Sequence, residues 1–315
     1  LSAGHGGGFH PQVHKKSFRI EKNAVHVEYR CLYLVTHTMG YQNLRLWSRA
    51  ERYFIMGWSF KNVFRVTFKR GIAMTDHFPI LFLIARPGAG KSEIIDYLKR
   101  RSPEERLSRF HVGNLAEFDD FPMLWTWFEE DAILREMGRE GLHSDRDGYF
   151  IHADLWNLLI RRLCLDYRKA RRDDPALGKE KTALIEFSRG TEHGGYASAF
   201  SHLDPELLAS GAILYVNVSW EESLRKNRKR FNPDKPDSIL EHGLSNEKLE
   251  KLYRYTDWES VSSSDPAYVP IQGVRVPYAV MENEDDVTTG RGEALGDRLE
   301  KTLSILWERF RKNMI

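Results

Sequence analysis

Cysteine is nearly absent from this sequence, with two, Cys31 and Cys164, in 315 residues. Two thiols make no disulfide framework, and no CxxC or Cys/His cluster suggests a metal. A reducing, cytoplasmic location is the expectation. Long apolar runs are missing too. None reaches the roughly 18 residues that span a bilayer, and the opening LSAGHGGGFHPQVHKK lacks an apolar segment of signal-peptide type. No membrane partner is expected. Net charge is only +2, which gives no electrostatic case for nucleic acid binding by the chain as a whole. Internal repeats and low-complexity tracts are absent. What remains is an ordinary soluble composition, 41% apolar and 29% charged, long enough for one large α/β domain or two smaller ones.

One absence is local. Residues 1–73 contain no Asp, and carry 12 Lys+Arg against 3 Asp+Glu, whereas the rest carries 35 against 42. Val25, Val27 and Tyr29 alternate with polar residues, but turn signals are poor and Pro11 is the sole proline there. Met74 precedes TDHFPILFLIA, which looks like a natural start before a first core strand. The expectation is that residues 1–73 are a basic N-terminal extension, non-native or poorly ordered. The rival reading is a genuine small basic module. His5, His10 and His14 read as part of a polar tail.

From Met74 the pattern is regular. Ile80 to Ala85 is a continuous apolar run, as in a strand covered on both faces. Ser92 to Arg101 follows as a helix. Phe110 to Leu115 reads as a second strand, and Met123 to Met137 as a helix, with Phe121 held extended before Pro122. Asp154 caps a helix to about Arg171, with Trp156, Ile160, Leu163 and Tyr167 on one face. Thr182 to Phe187 and Ala212 to Val218 are strands. Ser219 and Glu222 read as a capping box opening a helix to about Phe231. Asn246 to Tyr253 is a short helix, Gly273 to Met281 the last strand, and Glu293 to Phe310 an amphipathic helix. Apolar strands alternating with helices indicate a parallel sheet with helices on both faces.

Between the first strand and its helix stands Ala85-Arg86-Pro87-Gly88-Ala89-Gly90-Lys91-Ser92. The phosphate-binding pattern is G-x-x-x-x-G-K-[ST], and Ala85 replaces its first glycine. Gly88 and Gly90 let backbone N–H groups close around phosphate oxygens, and the helix start adds unsatisfied donors and a dipole end. Arg86, Gly88, Ala89, Gly90, Lys91 and Ser92 are therefore the candidate nucleotide-binding residues. Lys91 would neutralise phosphates and Ser92 offer its hydroxyl to Mg²⁺. The rival is a chance glycine turn.

Phosphoryl transfer also needs a metal-holding acid, cations and a base for the acceptor. Glu186 ends a strand, where the ligand crevice of a parallel sheet lies. It reads as a Mg²⁺ or substrate residue, or as an ordinary strand-end carboxylate. Arg189 reads as a substrate contact or a surface arginine. Asp119 and Asp120 suit an acceptor base, or are loop and cap residues. Arg225, Lys226, Arg228, Lys229 and Arg230 suit a lid over the γ-phosphate, led by Arg225 and Arg228. Alternatively they are a solvated face or a nucleic-acid patch. Asn283 to Asp286 would line an adenine pocket or form a polar loop. Trp125, Trp127 and Trp156 read as packing residues, one of which could stack on a substrate base.

On the phosphate loop, the cationic helix after a later strand and the acidic loop after the last strand, residues 79–310 resemble a P-loop kinase of the nucleoside and nucleotide kinase superfamily. Asp120, Pro122 and Trp125 resemble the acid, proline and tryptophan that follow the second strand in its deoxynucleoside-kinase-like branch. That branch has Glu-Arg-Ser after the third strand; here the order is Glu186-Phe187-Ser188-Arg189. The resemblance implies a P-loop NTPase three-layer α/β sandwich over residues 74–315, with about five parallel strands and a helical lid near 220–245. It also implies ATP and Mg²⁺ as cofactors and a small-molecule acceptor. The rivals are an ATP-binding regulatory protein and a nucleic-acid end kinase. The sequence leaves the acceptor and the oligomeric state open.

Overall fold

The computed structural model describes residues 76–230 and 244–314, all within one compact unit, Arg70–Ile315. The expectations for residues 1–73, Cys31 among them, for Met74 and for 231–243 of the lid lie outside the described residues. So does the Arg230 side chain.

The chain is a mixed α/β protein built on a six-stranded, mostly parallel sheet. Its strands are β1 (Ile80–Ala85), β2 (Asn114–Asp119), β3 (Lys181–Phe187), β4 (Gly211–Asn217), β5 (Tyr268–Ile271) and β6 (Val274–Glu282). Their order is β2-β3-β1-β4-β6-β5, and only β5 runs antiparallel. The chain builds first to one side of β1 and then to the other. Such a reversal opens a crevice at the carboxyl ends of the parallel strands.

Period-two alternation sorts the side chains of β1 into two cores. Leu81, Leu83 and Ala85 face α1 (Lys91–Lys99) and α11 (Glu293–Met314). Ile80, Phe82 and Ile84 face α4 (Leu155–Asp173), α5 (Gly195–Ser201) and α6 (Pro205–Ala209), in a cluster that Trp258 of α9 (Trp258–Ser262) also joins. All six β1 residues are buried, as the unbroken apolar run requires. The predicted faces of α4 (Trp156, Ile160, Leu163, Tyr167) and α11 (Leu295, Leu299, Leu303, Leu306, Phe310) are the buried ones.

Four local readings are corrected. The second strand begins at Asn114, not Phe110, because α2 (Pro103–Phe110) precedes it. Ser102 accepts the Glu105 N–H at 3.2 Å, Pro103 opens the helix, and His111 ends it at φ 53°. The chain is already helical at Phe121, where α3 (Phe121–Glu136) begins with Pro122 in its first turn, a position that needs no proline N–H. Ser219 caps α7 (Trp220–Arg230) by accepting the Glu222 N–H at 3.1 Å, but the reciprocal half of the box is replaced. The Ser219 N–H donates to Glu284 at 2.7 Å, while Glu222 holds Arg225. Finally, β5 and β6 form a hairpin whose two-residue turn, Gln272-Gly273, has φ 49° and 79°, the positive pair that matches strand twist. Among the described residues no helix is long and apolar enough to cross a membrane.

Candidate functional site

Residues 86–90 leave β1 and feed α1. Gly88 and Gly90 have φ of 74° and 108°. A Cβ on Gly90 would meet the Thr288 side chain at 2.5 to 2.9 Å, so only glycine fits where α10 (Val287–Gly290) packs on the loop. The carbonyls of the loop are tied outward. Ser223 Oγ donates to the Pro87 carbonyl and Asn283 Nδ2 to the Ala89 carbonyl, each at 2.8 Å. The Arg86 guanidinium donates to three more carbonyls: Val218 at 3.1 Å, Arg254 at 3.2 Å and Tyr253 at 3.4 Å. Val218 follows β4, and Tyr253–Arg254 end α8 (Asn246–Tyr253). No side chain caps α1 at Gly90. Its first-turn N–H groups and positive dipole end are therefore left to a ligand.

The loop opens on a cleft of about 290 Å³ that Lys91, Ser92, Asp119, Asp120, Glu186 and Arg189 all line. Lys91 is buried, donates to Ser188 Oγ at 2.7 Å and lies 3.6 Å from Glu186. Asp119 and Glu186 are register neighbours at the ends of β2 and β3. Strand alternation turns both toward the face that carries α1, since Phe118, Ile185 and Phe187 pack on the other. Burial among the strand ends, then the charges of Glu186 and Asp120, push the Asp119 carboxyl up to about 7, although much of its surface still opens into the cleft.

The far wall is aromatic. Phe121, Leu124, Trp156 and Tyr253 line it. Arg189, only 1% exposed, pairs with Asp120 at 2.6 Å and donates to the carbonyls of Ser188 at 2.6 Å and Trp156 at 3.1 Å. His193 stacks on Trp156 at 3.7 Å between centroids. Burial, with the Arg189 charge beside it, pushes the His193 imidazole down to about 3. Burial likewise raises the Tyr253 phenol, so it stays protonated.

Other expected residues stand back from the cleft. Arg225 bonds Glu222 at 2.6 and 2.7 Å and Asp286 at 2.8 Å, and Arg228 bonds Asn246 at 3.1 Å; neither lines it. Asn283 is fully buried behind the loop, and Arg86 is occupied with its carbonyls. The cations of α7 that do line the cleft are Lys226 and Lys229. Lys226 is buried, 2.6 Å from Asp286 and 2.9 Å from Thr288 Oγ1. Composition alone hid this choice. Helical spacing from Ser223, the residue that meets the loop, selects 226 and 227 rather than 225 and 228. Asn227 also clasps Leu244, donating to its carbonyl at 2.7 Å and accepting its N–H at 3.2 Å.

The residues thus define a mixed α/β protein with an anion-ready helix start facing paired carboxylates across a cleft. No family model and no curated protein matches the chain. Solved structures resemble it at low identity, two of them as follows. An unliganded sugar kinase from Janibacter sp. HTCC2649 is 16% identical, over 72% of this chain and 94% of that one, with a TM-score of 0.36. A protein from Thermus thermophilus is 14% identical, over 74% and 98%, also at 0.36. At that TM-score neither carries an argument about function.

Proposed function

We propose that the chain is an ATP- and Mg²⁺-dependent phosphotransferase of the P-loop kinase class, with residues 74–315 as the catalytic domain and 1–73 as an extension outside it. One observation carries the reading. The uncapped start of α1, with Lys91 on its first turn, faces the paired carboxylates of β2 and β3 across one cleft. Donors and positive charge on one side suit a polyphosphate; acids on the other suit a cation and a hydroxyl.

The fit to Mg²⁺ follows from the donor set. Ser92, Glu186 and Asp119 offer hard oxygen ligands, and burial, then the charges of Glu186 and Asp120, raise the Asp119 pKa, a cost that a bound cation would relieve. Among the described residues no group of three or more His, Cys, Asp or Glu side chains makes a metal cage. A site that relies on phosphate and water for its other ligands is the Mg²⁺ pattern. When bound, the ion would neutralise charge on the phosphate oxygens.

The loop amides and Lys91 hold the phosphates. Asp119 or Asp120 orients the acceptor hydroxyl or takes its proton, and the aromatic wall excludes water. Lys226 and Lys229 are the described α7 cations that face the transferring group.

Lys91→Ala is the test. ADP formation should fall by about 10²-fold or more, as on removal of a preorganised oxyanion donor, with unchanged circular dichroism. Full activity in that variant would overturn the reading. Nucleotide binding by the wild type without transfer to any acceptor would assign the chain to the regulatory class instead.

A further inference from the structure

We infer that Ser188 is a positioning residue for Lys91. Its hydroxyl fixes where the ammonium points, so that the loop cation meets a polyphosphate already aimed. This rests on the phosphate-binding reading above, and adds a residue that neither the loop motif nor a count of charges marks.

The need arises from the chemistry of lysine. Its charge is compact and sits on a flexible four-carbon stem, with three rotatable donors. Two groups hold the Lys91 ammonium. Glu186 lies 3.6 Å away, beyond hydrogen-bond length, so it attracts without setting a direction. Ser188 Oγ accepts from Nζ at 2.7 Å, a contact that is directional. A hydroxyl is neutral. It therefore takes one of the three donors and cancels none of the charge. Two N–H groups are left to turn toward phosphate oxygens beside the uncapped amides of α1.

The position of Ser188 follows from the sheet. Ile84 and Phe187 are the last register pair of β1 and β3. Ser188 comes one residue later, where β1 is giving way to the 86–90 loop. It stands two residues after Glu186, on the same face of the chain by strand alternation, and both line the cleft.

Ser188 is also braced, as a positioning group has to be. Its carbonyl accepts Arg189 Nη1 at 2.6 Å. Arg189 is itself anchored, with Nη2 on Asp120 at 2.6 Å and on the Trp156 carbonyl at 3.1 Å. The next residue, Gly190, lies directly on α8, since a Cβ there would come within 1.9 Å of the Leu252 carbonyl oxygen. The Thr191 N–H then donates to the Tyr255 carbonyl at 2.9 Å. The turn after β3 is thus tied to α4 on one side and to the α8 segment on the other. A hydroxyl on so fixed a backbone transfers that fixity to the lysine it holds.

The experiment is calorimetric titration of the full chain with Mg-ATP and with AMP, for the wild type, Ser188→Ala, Lys91→Ala and the double variant. Ser188→Ala should raise the Kd for ATP about fivefold or more. It should leave AMP within about twofold, because the loop lysine reaches the β and γ phosphates that AMP lacks. In the Lys91→Ala background the same change should alter ATP binding by less than about twofold, as for two residues acting through one contact. Ser188→Cys keeps the size but offers a weak acceptor, and should behave as Ser188→Ala does. Unchanged or tighter ATP binding in Ser188→Ala overturns the inference. Equal losses for ATP and AMP, or an equal loss with and without Lys91, overturn it too, since either marks a general disturbance of the cleft. Weakened ATP binding in Lys91→Ala beside wild-type binding in Ser188→Ala sinks this inference alone. A wild type that binds no ATP removes the phosphate-site reading and this inference together.

Discussion

At the scale of single residues, one fully satisfied acid lies away from the cleft. Asp131 is fully buried and accepts the N–H groups of Leu142 at 2.7 Å, His143 at 3.0 Å and Ser144 at 2.5 Å, together with the Ser144 hydroxyl at 2.7 Å. Burial alone would raise its pKa, but these four donors outweigh it and pull the carboxyl down to about 2. The folded pKa lies below the unfolded value of 3.8. The stabilisation is therefore complete above about pH 4 and is lost as pH falls toward 2. Asp131→Ala strands three amides, each costing about 1 to 3 kcal/mol. Urea unfolding at pH 7 should show a loss of about 3 kcal/mol or more, and the difference from wild type should shrink below pH 4. Nothing in a run such as GREGLHSD signals this knot, because its acid is ten or more residues upstream on another element. Lys91, Ser92 and Glu186, by contrast, were readable, since each occupies a position that strand-loop-helix geometry defines.

Elements show a similar division. The helix α7 was legible as cationic, but its orientation was not. Charge counting ranks Arg225 and Arg228 first, whereas its buried face holds Glu222, Ser223, Lys226 and Asn227. Lys226→Ala should therefore lower kcat/KM for ATP by about tenfold or more. Arg228→Ala, at an exposed position bonded to Asn246, should stay within about twofold. Steady-state kinetics of the two variants decide between the faces. The displaced second strand has a comparable cause. Phe110 and Val112 are apolar enough to pass for strand, but Ser102-Pro103 had already committed the chain to α2. The β5–β6 hairpin was missed because Gln-Gly is a weaker turn signal than Asn-Gly.

On the largest scale, the described residues form one sheet between two apolar layers, and that much was legible because continuous apolar runs leave little choice. The layers share β1, whose alternate residues enter each. Damage on one side should accordingly register on the other. Leu83→Ala, on the α1 and α11 side, should cost about 2 to 5 kcal/mol. Hydrogen exchange should then show equal loss of protection in α4, which touches only the opposite face. Undiminished protection there would mean that the two layers open separately.

The clasp between Asn227 and Leu244 has a consequence for how this chain tolerates change of length. Its two hydrogen bonds close the 16 residues from 228 to 243 at their base. Beneath that base, Arg86 and Ser223 fix the 86–90 loop independently. A change of chain length between these two ends therefore meets the clasp before it meets the 86–90 loop, whose own ties to Val218 and Ser223 stand apart from it.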